Sequence, residues 1–153
     1  MRSFYIGRAA GKDIPQLVAL LGELFSIEQD FTPDSGRQAA GLGRLLERPD
    51  AAVFVARDSR GEPVGMVSAQ LVVSTAQGAL SAWIEDAIVA GNCRGQGVGR
   101  MLLGEALRWA RERGATRAQL LVDQGNSPAQ DFYAKLGWQP THLVAHRMFL
   151  EAE

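Results

Sequence analysis

The sequence is poor in cysteine, in excess charge and in long apolar runs: it has one cysteine and a net charge of −1. A single cysteine excludes an internal disulfide bond. Acids and bases are evenly mixed, so no basic field exists to attract nucleic acid, and no amphipathic basic segment points to a membrane surface. No apolar run reaches the length of a signal peptide or a membrane span. We therefore expect a cytoplasmic protein with neither nucleic acid nor membrane as a partner.

The remaining composition is that of an ordinary globular protein. Hydrophobic residues make up 46% of the 153 residues and charged residues 22%. A chain of this length buries about two-thirds of its unfolded surface as one domain. We found no repeat, linker or low-complexity tract, and we predict a single domain over residues 1–153.

Hydrophobic periodicity predicts alternating strands and helices. The predicted strands are 4–9, 51–57, 64–73, 79–89, 118–122 and 142–150. The predicted helices are 12–27, 37–48, 98–113 and 127–136. Asp13-Ile14-Pro15 is a natural helix start, and Ser127 has capping-box spacing with proline at the next position. The order β-α-α-β-β-β-α-β-α-β indicates one α/β fold.

A glycine-rich loop joins the strand 79–89 to the helix 98–113, and residues 94–100 read RGQGVGR. The glycines leave the loop nearly bare of side chains, so that several backbone N–H groups can point into one concavity. This concavity lies at the positive end of the helix dipole, which suits a phosphate or pyrophosphate.

Two familiar phosphate loops fit this segment badly. A dinucleotide-binding loop needs G-x-G-x-x-G, but counting from Gly95 puts Arg100 at the third glycine. Counting from Gly97 puts Leu102 there. The G-x-x-x-x-G-K-[ST] pattern of a P-loop fails as well, because no register supplies the lysine. What remains is R-x-x-G-x-G leading into a helix.

A second block, NSPAQDFYAKLGW at 126–138, follows the loop. It resembles the N-x-x-A-x-x-[FY]-Y-x-x-x-G-[FW] segment of the GCN5-related N-acetyltransferases, and R-x-x-G-x-G resembles their pyrophosphate-binding loop. The resemblance covers about residues 82–150, whereas the N-terminal third matches only in its order of elements. It implies the fold of that family, a mixed α/β sheet of about six to seven strands flanked by about four helices, and it implies acetyl-coenzyme A as the cofactor.

The resemblance also implies which residues hold the cofactor. The pyrophosphate would lie on loop amides, and the pantetheine arm would run along the end of the preceding strand, which in this family carries a bulge and splays from the next strand. Asn126 resembles the residue that hydrogen-bonds the arm. The implied set is Ala87, Ile88, Val89, Arg94, Gly95, Gln96, Gly97, Val98, Gly99, Arg100 and Asn126.

Two catalytic roles follow from the same resemblance. Tyr133 matches the tyrosine that protonates the departing thiolate, and Glu85 matches an acid that removes a proton from the amine. Strand alternation places Glu85 and Asp86 on opposite faces, so at most one points directly into the site. Asp86 is the alternative base. A water chain is another alternative, as is binding of the substrate ammonium without proton transfer.

The polar break between the first two helices is a candidate acceptor site. Acids there would suit a cationic amine, and Phe31 could supply a wall, although a solvated loop explains the same residues. The predicted substrate contacts are Glu28, Asp30 and Phe31, with Gln29 and Asp34 beside them. We interpret Glu23 as a solvated helix position. His142 and His146 lack partners at metal-ligand spacing, so we predict no metal site.

We therefore predict an N-acetyltransferase that moves an acetyl group from acetyl-coenzyme A to a primary amine, by direct transfer in a ternary complex. The expected acceptor is a small molecule, and a protein amine is the alternative. A non-catalytic acyl-coenzyme A sensor with the same fold is a second hypothesis. A nucleotide-binding protein is a third, disfavoured by the failed loop patterns. The final predicted strand could pair across a homodimer.

Overall fold

The computed structural model describes residues 2–28 and 30–151. It divides into two compact units, residues 1–120 and residues 121–153, which we describe separately. Gln29, which belongs to the predicted acceptor segment, lies outside the described residues. A single domain over the whole chain stays a prediction.

The first unit is a five-stranded sheet with helices on both faces. Its strands are β1 (Tyr5–Arg8), β2 (Ala51–Arg57), β3 (Pro63–Ser74), β4 (Ala79–Val89) and β5 (Ala115–Leu120). Its helices are α1 (Ile14–Ile27), α2 (Ser35–Glu47) and α3 (Val98–Glu112), with short 3-10 turns at Gly11–Asp13 and Gly91–Cys93. The strands lie in the order β1-β2-β3-β4-β5, and every neighbouring pair is antiparallel except the parallel pair β4–β5.

Both faces of β2 are covered, because its side chains alternate between two helical layers. Val53 and Val55 belong to the buried cluster that includes Leu17 of α1 and Leu42 of α2. Phe54 lies between them in sequence and packs against Trp109 of α3, with ring centroids 6.4 Å apart. The near-continuous apolar sequence of 51–56 is therefore that of a central, doubly covered strand.

A buried ion pair fixes the start of α1 to the sheet. Both guanidinium Nη atoms of Arg57 donate to the two carboxylate oxygens of Asp13 at 2.8 Å. The Ala10 N–H also donates to Asp13, at 2.8 Å, so the carboxylate closes the 3-10 turn before the helix. The Asp13 side chain is 5% exposed, and the Arg57 guanidinium holds its pKa below the usual carboxyl value.

In the second unit, residues 121–151 contain one helix, α4 (Ser127–Lys135). The predicted cap residue is wrong by one position. The Asn126 side chain accepts from the Ala129 N–H at 3.1 Å, whereas the Gln130 N–H, which Ser127 would cap, donates to the Asn126 carbonyl. Adjacent Asn and Ser are both good cap formers, so local sequence does not choose between them.

The predicted α/β fold with a mixed sheet is confirmed, and two strand predictions need correction. β5 begins three residues before the predicted 118–122, because Gly114, at φ 93°, ends the helical segment and Ala115 pairs at once with Leu80. Residues 142–150 form no strand, so the described sheet has five strands instead of six or seven. Alternating apolar residues give a segment strand propensity, but a strand also needs a hydrogen-bonding neighbour. The suggested homodimer pairing through this segment stays a prediction.

Candidate active site

The C-terminal part of β4 is irregular, and this irregularity forms one side of the candidate site. Ser68 of β3 pairs with Glu85 and Met66 pairs with Ile88, so Val67 stands opposite two residues, Asp86 and Ala87. Asp86 adopts the left-handed conformation, with φ 55°, which aspartate tolerates better than most residues do. This is a β-bulge, as the family resemblance implies.

β4 also separates from its other neighbour at the same place. The parallel pairing with β5 runs from Leu80 to Ile84 and then ends at Leu120. Among the described residues of the first unit, no strand pairs with the stretch 85–89 on that side, whereas β3 continues to pair with it on the other. The backbone of Ala87, Ile88 and Val89 therefore has an edge without a strand partner, to which an extended chain can add. The Val89 carbonyl is the exception, because it accepts from Arg94.

Two carboxylates at the bulge occupy different environments. The Glu85 side chain is exposed, and the Trp83 indole N–H donates to it. Asp86 is half-buried, with its Oδ2 3.3 Å from the hydroxyl of Ser68, which also lies 3.1 Å from the Glu85 carbonyl oxygen. Since a hydroxyl carries one hydrogen, Ser68 cannot donate to both acceptors at once.

The pKa of Asp86 is raised from its usual 3.8 to about 6. Burial is the largest cause, and the negative charge of Glu85 is the second. The Ser68 hydrogen bond opposes this shift, and the charge of Glu28 adds to it. The predicted acceptor residue Glu28 is therefore within electrostatic reach of the bulge. The structure brings Glu28, Glu85 and Asp86 into one acidic region.

The remaining predicted acceptor residues lie between α1 and α2. The ring of Phe31 packs against that of Phe25, with centroids 5.8 Å apart, and Asp30 is exposed. Asp34 has a structural role, because its carboxylate accepts from the Arg37 N–H at 3.0 Å and caps α2.

The glycine loop has the backbone shape that an anion site requires. Gly95 and Gly97 have φ of 75° and 82°, and Gly97 is the N-cap of α3. The first N–H groups of this helix, on Val98, Gly99 and Arg100, lack intrahelical acceptors, as at the start of any helix. No described side chain caps them, so they can bind an anion. Gln96 and Arg100 have exposed side chains beside them. A Cβ at Gly95 or Gly97 would meet no atom within 4 Å, so backbone conformation is what favours glycine there.

Arg94 does not extend into solvent as a free cation. Its Nε donates to the Val89 carbonyl at 2.8 Å, and its Nη2 donates to Oε1 of Glu23 at 2.9 Å. The same Glu23 oxygen accepts from the Gly91 N–H at 3.1 Å. The interpretation of Glu23 as a solvated helix position is incomplete, because its side chain is 38% exposed but also makes these two contacts. Its contacts lie 68 and 71 residues along the chain, where no local signal could have indicated them.

In the second unit, Tyr133 of α4 lies in an aromatic group. Its ring makes edge contacts with Phe132 and Trp138, with centroids at 5.2 Å and 6.0 Å, and it is half-buried. Asn126, predicted to bond the cofactor arm, uses Oδ1 for the helix cap, which leaves its amide N–H₂ group as a donor.

Residues 2–28 and 30–151 contain neither a metal-binding cluster nor a membrane-spanning helix. No group of three His, Cys, Asp or Glu side chains is placed to hold a metal ion. None of the helices in these ranges is both long and apolar enough to cross a membrane.

Residues 17–138 match the acetyltransferase (GNAT) family. Among curated proteins, the chain is 35% identical over 111 residues to streptothricin acetyltransferase of Streptomyces lavendulae, which covers 69% of this chain and 54% of that protein. It is 33% identical over 96 residues to the Bacillus subtilis protein named putative [ribosomal protein bS18]-alanine N-acetyltransferase, covering 63% and 59%. The matches thus span little more than half of these relatives.

Solved structures match over nearly the whole chain. A transcriptional regulator from Bacillus halodurans C-125 has a TM-score of 0.83 at 27% identity, covering 96% of this chain and all of that one. An aminoglycoside acetyltransferase from an uncultured soil metagenomic sample, solved with sisomicin, has a TM-score of 0.76 at 25% identity and 97% coverage of both. The bulged strand and the glycine loop agree with these matches, and the chain belongs to the GNAT family of acetyltransferases.

Proposed function

We propose that the protein transfers an acetyl group from acetyl-coenzyme A to a primary amine, directly and within a ternary complex. One observation carries this proposal: the open edge of β4 at 87–89 leads straight into an uncapped glycine loop at the start of α3. An extended arm ending in a pyrophosphate needs these two surfaces in this order.

The cofactor contacts are those that the backbone offers. The pyrophosphate lies on N–H groups of residues 94–100, where the α3 dipole favours negative charge. The pantetheine arm pairs with Ala87, Ile88 and Val89, and Asn126 donates to it. The N–H groups of this strand end polarise the thioester carbonyl.

The reaction joins the amine nitrogen to the acetyl carbon and breaks the carbon–sulfur bond. The amine loses a proton to a carboxylate at the bulge, and Tyr133 gives a proton to the leaving thiolate. Glu85 is the base that the family resemblance favours. Asp86 competes for this role, since a base whose pKa is near 6 is better matched to neutral pH than an ordinary carboxylate is.

The acceptor is a small cationic amine. The acidic region of Glu28, Glu85 and Asp86 attracts an ammonium. Phe31, which packs against Phe25 and follows Glu28 by three residues, supplies an apolar surface. The names of the streptothricin and aminoglycoside acetyltransferases support this class. The Bacillus subtilis relative, named for a ribosomal protein, supports a protein amine as the second candidate.

Substitution of each carboxylate distinguishes the two bases. If Asp86 is the base, kcat/KM of the wild type rises with pH through about 6, because the carboxylate must be ionised, and Asp86→Asn removes this rise. If Glu85 is the base, Glu85→Gln lowers turnover by about a hundredfold and Asp86→Asn does not. The pH profiles of both variants, measured with one amine, decide between them.

The proposed function is tested first by calorimetric titration of the purified protein with acetyl-coenzyme A, with ATP and NAD as controls. Selective binding of acetyl-coenzyme A is the expected result, and it makes an acetylation screen over an amine panel worthwhile. Selective binding without turnover on any amine would favour a non-catalytic sensor. A folded protein, free of copurified cofactor, that binds none of the three would contradict the proposal.

A further inference from the structure

The carboxylate of Glu23 lies where α1 meets the segment that leads into the glycine loop. One of its oxygens, Oε1, accepts from two groups of that segment, the Gly91 N–H at 3.1 Å and the Arg94 guanidinium at 2.9 Å. Glu23 is on the third turn of α1, and its side chain is 38% exposed. The contact therefore joins a helix of the core to the first residues of the loop.

Arg94 completes a closed arrangement. Its Nε donates to the Val89 carbonyl at 2.8 Å, so its side chain spans back from the loop to the last residue of β4. Glu23 thus holds the segment 89–94 at two groups, the Gly91 N–H and the Arg94 guanidinium, and the hydrogen bond from Arg94 to Val89 closes the segment on itself. Because Gly95 and Gly97 follow at once with φ of 75° and 82°, the position of Arg94 sets where the loop amides begin.

We propose that Glu23 is a positioning residue for cofactor binding, which holds Arg94 and Gly91 so that the loop amides are already arranged for a pyrophosphate. This inference rests on the proposed function. A loop that is ordered before binding loses less conformational entropy on binding, and this raises affinity without a direct contact.

Simple electrostatics predicts the opposite effect. Glu23 is an anion beside a proposed anion site, and it neutralises the adjacent Arg94. If the charge of Glu23 mattered most, its removal would tighten binding of a pyrophosphate. If its positioning role matters most, removal weakens binding. The sign of the change in affinity therefore separates the two effects.

The experiment is calorimetric titration with coenzyme A of the wild type, Glu23→Ala, Glu23→Gln, Arg94→Ala and the double variant Glu23→Ala/Arg94→Ala. We expect Glu23→Ala to raise Kd by about five- to tenfold, because both hydrogen bonds are lost. Glu23→Gln should restore part of the affinity, since its amide oxygen still accepts hydrogen bonds. The double variant should bind less weakly than the product of the two single effects predicts.

Glu47→Ala is the matched control, because it removes an exposed glutamate near the end of the neighbouring helix α2. It should leave Kd within about twofold of the wild type. With saturating acetyl-coenzyme A, Glu23→Ala should reach the wild-type kcat and differ only in KM. In the free protein, amide hydrogen exchange over 91–97 should be faster in Glu23→Ala than in Glu47→Ala.

Tighter or unchanged binding by a folded Glu23→Ala, with exchange over 91–97 unchanged, would overturn the inference while the proposed function stands. If Glu23→Ala does not fold, Glu23→Gln carries the same test, with the same sign of effect. A wild-type protein that does not bind coenzyme A would contradict the proposed function itself, and the exchange experiment would still report whether Glu23 orders the loop.

Discussion

The two units of the protein differ in what holds them together. The buried hydrophobic residues of the described chain all lie between Leu17 and Ala110, within the first unit. The single helix of the second unit, α4, has no fully buried residue and is stabilised locally by its Asn126 cap and by Gly137 at its end. The first unit is stabilised by a packed core, whereas the helix of the second is stabilised by local interactions at its two ends.

The proposed cofactor-binding surfaces and the proposed acid lie in different units. The strand edge and the glycine loop, which would bind the cofactor, belong to the unit with the core. The proposed acid Tyr133 belongs to a helix of nine residues, a length that is marginal on its own in water. Substitutions in the core and in the glycine loop of the first unit should change stability and affinity, whereas substitution of Tyr133 in the second should change turnover.

The largest effect is expected from removing the buried carboxylate of the first unit. Asp13→Ala should lower the free energy of unfolding by about 3 kcal/mol, because Arg57 would keep its charge without a partner. Urea denaturation measures this change. Asp50→Ala, which breaks the exposed pair with Arg48, is the control and should have little effect.

The same pair predicts a pH dependence of stability. Since folding lowers the pKa of Asp13, its contribution is complete above the usual value of 3.8 and is lost as the pH falls below it. The stability difference between the wild type and Asp13→Ala should therefore be constant near neutral pH and shrink in acid. A difference that grows in acid would contradict the assignment.

A substitution in the second unit should act on turnover alone. Tyr133→Phe should lower kcat by about a hundredfold, because the thiolate loses its proton donor, with the Kd for acetyl-coenzyme A unchanged. Tyr5→Phe, at the only other tyrosine, is the control and should retain wild-type kcat. An unchanged kcat in Tyr133→Phe would remove the proposed acid role.

A smaller effect is expected in the loop of the first unit. Gly97→Ala should raise the Kd for acetyl-coenzyme A by about tenfold, because alanine leaves the left-handed conformation in the free protein and must return to it on binding. Gly104→Ala, within α3 and with open space for a Cβ, should leave Kd unchanged and slightly raise stability. Equal affinities for the two variants would contradict the proposed loop function.

The sequence predicted those parts of the fold that depend on local patterns. Strands 51–57 and 79–89 were predicted to the residue, and the start of α3 likewise, since apolar runs and turn glycines mark their limits. The cap at Asn126 was missed by one residue because two cap formers stand side by side. The final strand was wrong because pairing depends on a neighbour that the segment does not have among the described residues.

The candidate site was predicted less completely, for a related reason. Strand alternation indicated opposite faces for Glu85 and Asp86, but the bulge interrupts that alternation. The contact of Glu23 with Arg94 joins residues 71 positions apart, and periodicity carries no information at that range. The Asp13–Arg57 pair of the fold, 44 positions apart, could not be predicted for the same reason. Residue types and motifs were sufficient to indicate a cofactor site, whereas its supporting contacts required the three-dimensional structure.

The left-handed backbone at Asp86 has a consequence for how this site can evolve. Besides aspartate, the residues that adopt φ 55° at low cost are asparagine and glycine, and each is one nucleotide change from an aspartate codon. A longer acid such as glutamate would strain the bulge. Mutation can therefore remove the charge at this position in one step without disturbing the strand, but it cannot readily move the carboxylate outward.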